Sequence, residues 1–204
     1  PSEKLIPHSN QVICDVFVPA SQKGGENGFI LIPSSDGWKP FMSSILTGCE
    51  VIEIFRTPHT FDRQKFATIK SAKPEIPPGF DMQKIDACLA EEIGVLASWS
   101  TINDFLTNGS GFAILNNGQI ASYSYTVFSS SEAVEIDVQT SENFRGLGLA
   151  TLTSIALIED ILLKGKNPNW ECFWENTPSL RLAEKLGFTA KNDYPVYFWE
   201  EKTL

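Results

Sequence analysis

Hydrophobic positions recur along this chain with two different periods, and the changes between them mark out its elements. Gln11 to Val18 and Phe29 to Ile32 are rich in β-branched and aromatic residues and predict strands, with the polar turn Gln22-Lys23-Gly24-Gly25-Glu26-Asn27 between them. Trp38 to Leu46 has helical spacing and stops at Gly48, a residue suited to a helix C-terminus. Val51 to Phe55 returns to strand character. Residues 71–80 hold Pro74, Pro77 and Pro78, which a helix interior does not tolerate. They are expected to separate a small N-terminal α/β region, residues 1–73, from a larger domain over residues 74–204.

Beyond that boundary, Asp81 to Val95 predicts a helix with Met82, Ile85, Leu89 and Ile93 on one face, and Ile102 to Leu106 a second, short one. Phe112 to Leu115 and Ile120 to Phe128 flank Asn116-Asn117-Gly118-Gln119, whose Asn-Gly step signals a tight hairpin. Ala133 to Gln139 alternates as a third strand. Leu147 to Lys164 is a long, broadly apolar helix stopped by Gly165 and Pro168. Trp170 to Trp174 predicts a strand, Ser179 to Leu186 a helix closed by Gly187, and Val196 to Trp199 a last strand. Such an order fits an α/β (α+β) chain with a mixed, mostly antiparallel sheet covered by helices on both faces.

Composition narrows the chemistry. At 204 residues, with 42% hydrophobic and 11% aromatic side chains, the chain can bury a core without disulfide or metal staples. A net charge of −9 repels phosphate backbones, so neither nucleic acid nor an anionic membrane is an expected partner. Cys14, Cys49, Cys88 and Cys172 are scattered, with no C-x-x-C pair or histidines at ligand spacing. Isolated buried thiols in a reducing, cytoplasmic compartment are expected in place of a disulfide framework or a metal site. His8 and His59 read as surface loop residues. No apolar run approaches the roughly 18 residues that span a bilayer. No signal peptide opens the sequence, which starts at Pro1 and is expected to be truncated there.

One stretch carries chemistry: Glu135-Ile-Asp-Val138-Gln-Thr140, a polar turn, then Arg145-Gly-Leu-Gly-Leu-Ala150-Thr151. It predicts a strand, a turn and a glycine-rich helix start. Gly146 and Gly148 allow a tight turn that brings backbone N–H groups close to a ligand. Unpaired amides at a helix N-terminus favour a phosphate, and Arg145 adds a fixed positive charge. A dinucleotide fingerprint fits poorly, because its last small residue is replaced by Thr151 and too little chain follows to build the second half of such a sheet. A nucleotide P-loop would need Gly-Lys-Ser or Gly-Lys-Thr, and none occurs.

Arg145-Gly-Leu-Gly-Leu-Ala150 resembles the pyrophosphate signature of the Gcn5-related N-acetyltransferase (GNAT) superfamily. Asn176-Thr-Pro-Ser179-Leu-Arg-Leu-Ala-Glu184-Lys185-Leu-Gly187-Phe188 resembles a second element of that superfamily, in the expected order. Phe105-Leu106 with Gly111-Phe112, Gly118 to Ser122, and Asn169-Trp170-Glu171-Cys172 look like the acetyltransferase family that includes the zwittermicin A resistance protein. The resemblance implies a GNAT fold over about residues 75–200 and acetyl-CoA as cosubstrate, with no metal. It places the pyrophosphate on Arg145, Gly146, Leu147, Gly148, Leu149, Ala150 and Thr151. The pantetheine arm would then lie along Val138 and Thr140, with Asn176 and Ser179 on its other side.

Acetyl transfer to an amine needs a base, and Glu135, ten residues before Arg145, is the candidate; the spacing resembles that of the glutamate base of the superfamily's histone acetyltransferases. Strand alternation sets Glu135, Asp137 and Gln139 on one face, where two carboxylates can raise each other's pKa. Many superfamily members carry a general-acid tyrosine where this chain has Ala183. Tyr194 or Tyr197 substitutes for it, or the thiolate leaves unaided. Phe173, Trp174, Tyr123, Tyr125 and Phe128 are candidates for an acceptor pocket, against ordinary core packing. The expected partner is a small-molecule amine; a homodimer stays open. Two other functions stay open as well, a non-catalytic acyl-CoA-binding regulator and a protein lysine acetyltransferase with an open groove.

Overall fold

The computed structural model describes residues 6–23, 28–33, 36–42 and 51–200. They fall into two compact units, Pro1–Arg56 with Asp193–Leu204, and Thr57–Asn192. The proline-bearing segment 71–80 lies within the second.

In the first unit, helix α1 (Ile6–Val12) runs through a π-helical turn (Ile13–Phe17) into α2 (Val18–Lys23). The strand expected at Gln11–Val18 is therefore helical. Its β-branched residues suggested a strand, but Val12 with Val16 and Ile13 with Phe17 stand four apart, the spacing of a helix face. Strand β1 (Gly28–Leu31) pairs antiparallel with β10 (Tyr194–Glu200), which pairs in turn with the first half of β2 (Val51–Phe61). Ile13, Met42 and Tyr197 form the buried centre, with Phe29, Leu31 and Trp38 against it. Asp36–Phe41 is a 3-10 turn. The rest of the helix expected at Trp38–Leu46, its Gly48 terminus, most of the polar turn 22–27 and Cys49 lie outside the described residues.

The second unit starts with the far half of β2, then α3 (Arg63–Ser71), whose first amides are capped by Asp62 accepting from Gln64 and Lys65 N–H. The helix expected at Asp81–Val95 is in fact a strand, β3 (Phe80–Lys84), followed by the short helix α4 (Ala87–Ile93). Asp86 separates them, its carboxylate accepting the Leu89 N–H at 3.0 Å. Helix α5 (Ile102–Asn108) leads into a meander of β4 (Gly111–Asn116), β5 (Gln119–Ser129) and β6 (Ala133–Thr140). Asn117 and Gly118 both have positive φ, 49° and 80°, as the two-residue hairpin requires.

Helix α6 (Leu149–Leu163), β7 (Asn167–Asn169), β8 (Glu171–Phe173), α7 (Thr177–Lys185) and β9 (Phe188–Ala190) complete the unit. One sheet has the order β3-β4-β5-β6-β7, antiparallel except for the parallel β6–β7 pair; β8 instead joins β2. α6 packs on one face through Val134, Ile136, Ile155 and Ile158, while α4 and α5 cover the other through Leu89, Phe105 and Tyr125. This is the mixed α/β arrangement expected, with helices on both faces.

Candidate active site

The parting of the two strands that follow α6 creates the site. β7 pairs with β6 over three rungs, Ala133↔Asn167, Val134↔Pro168 and Glu135↔Asn169. At Trp170 the chain turns away. Its indole is 2% exposed and donates from Nε1 to Ser179 Oγ at 3.1 Å, while its carbonyl accepts His59 N–H at 3.1 Å. Trp170 thus commits the next residues to β2, and β6 runs on past Glu135 with a gap where β8 would have continued the ladder. His59, expected in a surface loop, is buried at this junction, with Nδ1 3.2 Å from the Trp170 carbonyl.

The orientation of the β6 backbone in that gap follows from one bond. Ser141 N–H donates to Ala121 O on the β5 side at 2.9 Å. N–H and C=O groups alternate sides along a strand, so those of Val138 and Thr140 face away from β5, into the gap.

The gap leads to the start of α6. Gly146 and Gly148 have φ of +82° and +78°, and a Cβ built on either would meet nothing within 4 Å. A cradle with open space above the backbone is what a pyrophosphate needs, and a side chain at either glycine would enter that space. The helix's own bonding begins with Thr151 and Leu152 N–H onto Gly148 O, at 3.1 and 3.2 Å. The N–H groups of Leu149 and Ala150 precede it and remain for a ligand. The side chains of Leu149 and Thr151 are buried, so only their backbone can reach an anion. Leu147 is half exposed. The Arg145 guanidinium stands 3.4 Å from Glu142, both largely in solvent, a contact weak enough for Arg145 to turn to an anion.

Asn176 caps α7, its Oδ1 accepting Ser179 N–H at 3.2 Å, and Ser179 takes the Trp170 indole. Both are tied to the β8 segment, Asn176 also by its N–H donating to Phe173 O at 2.9 Å. Ala183 is fully buried in the core and has no proton to give; Tyr197 is packed with Ile13 and Met42 in the first unit.

Glu135 sits at the closed end of the gap, on the last rung, where Asn169 donates its side-chain amide to Oε2. The chain alone assigned Asn169 no role; the signal was its place immediately before the tryptophan that ends the pairing. On the same face, Tyr125 stands opposite Asp137 and Tyr123 opposite Gln139, to which its hydroxyl donates. Burial, then the Asp137 charge and then Tyr125, push the Tyr123 hydroxyl up to about 12. Burial likewise holds the Asp137 carboxyl above its ordinary value, partly offset by a bond from Val138 N–H. Asp137 is nonetheless exposed to solvent along part of its side chain, being the exposed member of this face with Gln139. Phe128, Phe173 and Trp174 are substantially exposed.

A model of the GNAT acetyltransferase family matches residues 7–197. An uncharacterized N-acetyltransferase of Bacillus subtilis (strain 168), YdfB, is 28% identical over 176 residues, covering 83% of this chain and 66% of that protein. The chain thus spans just under two thirds of that curated relative. A GCN5-related N-acetyltransferase-like protein from Streptococcus suis 89/1591 superposes with a TM-score of 0.72 at 30% identity, over 89% of this chain and 74% of that one. A GCN5-related N-acetyltransferase from Kribbella flavida shares the fold, with a TM-score of 0.58 at 14% identity over 93% of this chain and 74% of that one.

Proposed function

The chain belongs to the GNAT acetyltransferase family, and from that premise we propose that it transfers the acetyl group of acetyl-CoA to an amine of a small-molecule acceptor. The observation that carries this reading is the continuous path from the Glu135–Asn169 rung, along the β6 backbone, to the open glycine cradle before α6. Acetyl-CoA supplies an activated thioester. Arg145 and the backbone of Gly146 to Thr151 hold its pyrophosphate, and the pantetheine arm hydrogen-bonds to Val138 and Thr140 as an added strand. Asn176 and Ser179 line the other side of the arm.

Glu135 takes the proton that an ammonium must lose before its nitrogen can attack, and Asn169 keeps the carboxylate aimed at the end of the gap. As the N–C bond forms, the C–S bond breaks, CoA leaves as a thiolate, and the proton that the amide nitrogen sheds passes to solvent. With Ala183 at the position where the family often has tyrosine, the thiolate leaves without a proton from α7. The resemblance to the family that includes the zwittermicin A resistance protein rests on the segments around Phe105, Gly118 and Trp170 and names no acceptor; the small-molecule acceptor is proposed by analogy alone.

The test is release of free CoA thiol from acetyl-CoA by the purified chain across a panel of small amines and a lysine peptide. Amine-dependent release, with an acetylated product of matching amount, is expected. No release with any amine would favour an acyl-CoA-binding protein without transferase activity, and release that no amine accelerates would mean transfer of the acetyl group to water.

A further inference from the structure

We propose that His59 is a positioning residue for acetyl-CoA: its ring, donating from Nδ1–H to the Trp170 carbonyl, holds β8 out of the β6 ladder and keeps the gap open for the pantetheine arm. This rests on the reading above that the arm lies along β6, and adds a buried residue that the transfer chemistry does not use.

Register shows what the arm competes with. β7 meets β6 at a constant offset, Ala133↔Asn167, Val134↔Pro168 and Glu135↔Asn169. Carried on unchanged, that offset would set Trp170 against Ile136, Cys172 against Val138 and Trp174 against Thr140. The backbone groups of Val138 and Thr140 would then be used by the chain's own next strand, and the arm would find none. The β8 segment and the arm are thus alternatives for the same edge. A ligand that binds only the open arrangement gains affinity from whatever keeps β8 on β2.

That hold is concentrated at Trp170. Its carbonyl accepts two bonds from one residue, the His59 backbone N–H at 3.1 Å and the His59 ring at 3.2 Å. A carbonyl oxygen has two lone pairs and no proton, so Nδ1 is the ring nitrogen that carries hydrogen. Any residue but proline at position 59 would supply the backbone bond; the ring bond is particular to His59. Both residues are buried, so little water is at hand to replace it. The indole is tied separately, through Nε1 to Ser179 Oγ, and the Ser179 N–H is capped in turn by Asn176. Turning the Trp170 carbonyl toward β6 would therefore also pull on the two α7 residues proposed to line the arm.

Calorimetric titration of acetyl-CoA into the full chain and two variants tests this, each well below its melting temperature. Leucine and asparagine are close in size, but only asparagine places an N–H donor where Nδ1 stands. His59→Leu should bind acetyl-CoA roughly 2- to 12-fold more weakly than the parent, the worth of one net hydrogen bond. His59→Asn should recover most of that loss, whereas an effect of packing alone would weaken both variants equally. Parental affinity in His59→Leu, or equal loss in the two variants, would overturn the proposal. The ring itself gives a reading that needs no variant at position 59. The chain has two histidines, so His8→Gln with isotope-labelled histidine leaves one imidazole for NMR. A proton on its Nδ1 is expected, and a bare Nδ1 would overturn the proposal. Failure of the parent to bind acetyl-CoA is a separate result, and would overturn the reading beneath it.

Discussion

Gly148→Ala separates the cradle from its backbone conformation. At φ of +78° any L side chain is strained, and alanine there costs about 1–2 kcal/mol of stability. No steric clash adds to this, because nothing lies within 4 Å of the new Cβ. Gly118, in the β4–β5 turn at φ of +80° with nothing within 4 Å, supplies the control: the same strain, away from the cradle. For a chain of this size each kcal/mol is worth roughly 2–4 °C, so both variants should melt roughly 2–8 °C below the parent without ligand. They should differ once acetyl-CoA is present. At about 100 times the parental Kd, the ligand should add about 2.7 kcal/mol, or roughly 5–11 °C, to the parent and to Gly118→Ala. In Gly148→Ala the methyl group occupies the space over the amides, and each charged hydrogen bond lost there weakens binding roughly tenfold to a hundredfold. Its acetyl-CoA shift should shrink to roughly 1–6 °C, the low end for a hundredfold loss. Thermal unfolding of the three proteins, with and without ligand, reads both effects. A full shift in Gly148→Ala would refute the cradle.

Glu135→Gln should retain acetyl-CoA binding but lose roughly 10²- to 10⁴-fold in kcat/KM; parental rates at every pH from about 6 to 9 would remove Glu135 from the mechanism. Asn169→Asp sets a second carboxylate against Glu135 Oε2, and like charges resist joint ionisation. The acid limb of its pH–rate profile should therefore move up, and an unmoved limb would deny Asn169 its positioning role. The folded pKa of Asp137 is raised above its unfolded value, so ionisation there costs stability. The penalty is absent below the ordinary carboxylate range and appears as pH rises through the folded pKa. Asp137→Asn should thus melt above the parent near pH 7, with the gap closing toward about pH 3; equal or lower stability near pH 7 would contradict the upward shift of the Asp137 carboxyl.

The sequence was most legible where one local signal sufficed. Asn117-Gly118 fixed a hairpin, the alternation from Ala133 fixed β6, and Gly146 with Gly148 marked the turn before α6. It misled where two periods overlapped. Met82, Ile85, Leu89 and Ile93 fit one helix face, yet β3 pairs with β4 as far as Lys84, and only Asp86 shows where the helix begins. At Gln11 to Val18, β-branched side chains outweighed helical spacing that was already present. The places of His59 and Asn169 at the site could not be derived from local pattern, because the partner of the first is 111 residues away and that of the second 34. Long-range pairing, set by where Trp170 leaves the sheet, decides which polar residues meet.

Calorimetric titration of the unmodified chain with acetyl-CoA, with NAD and ATP as competitors for the same reading of the glycine loop, tests the central claim most directly. Saturable one-site binding of acetyl-CoA, with neither nucleotide binding comparably, is the predicted result. Absence of acetyl-CoA binding, or equal affinity for NAD or ATP, would contradict the account.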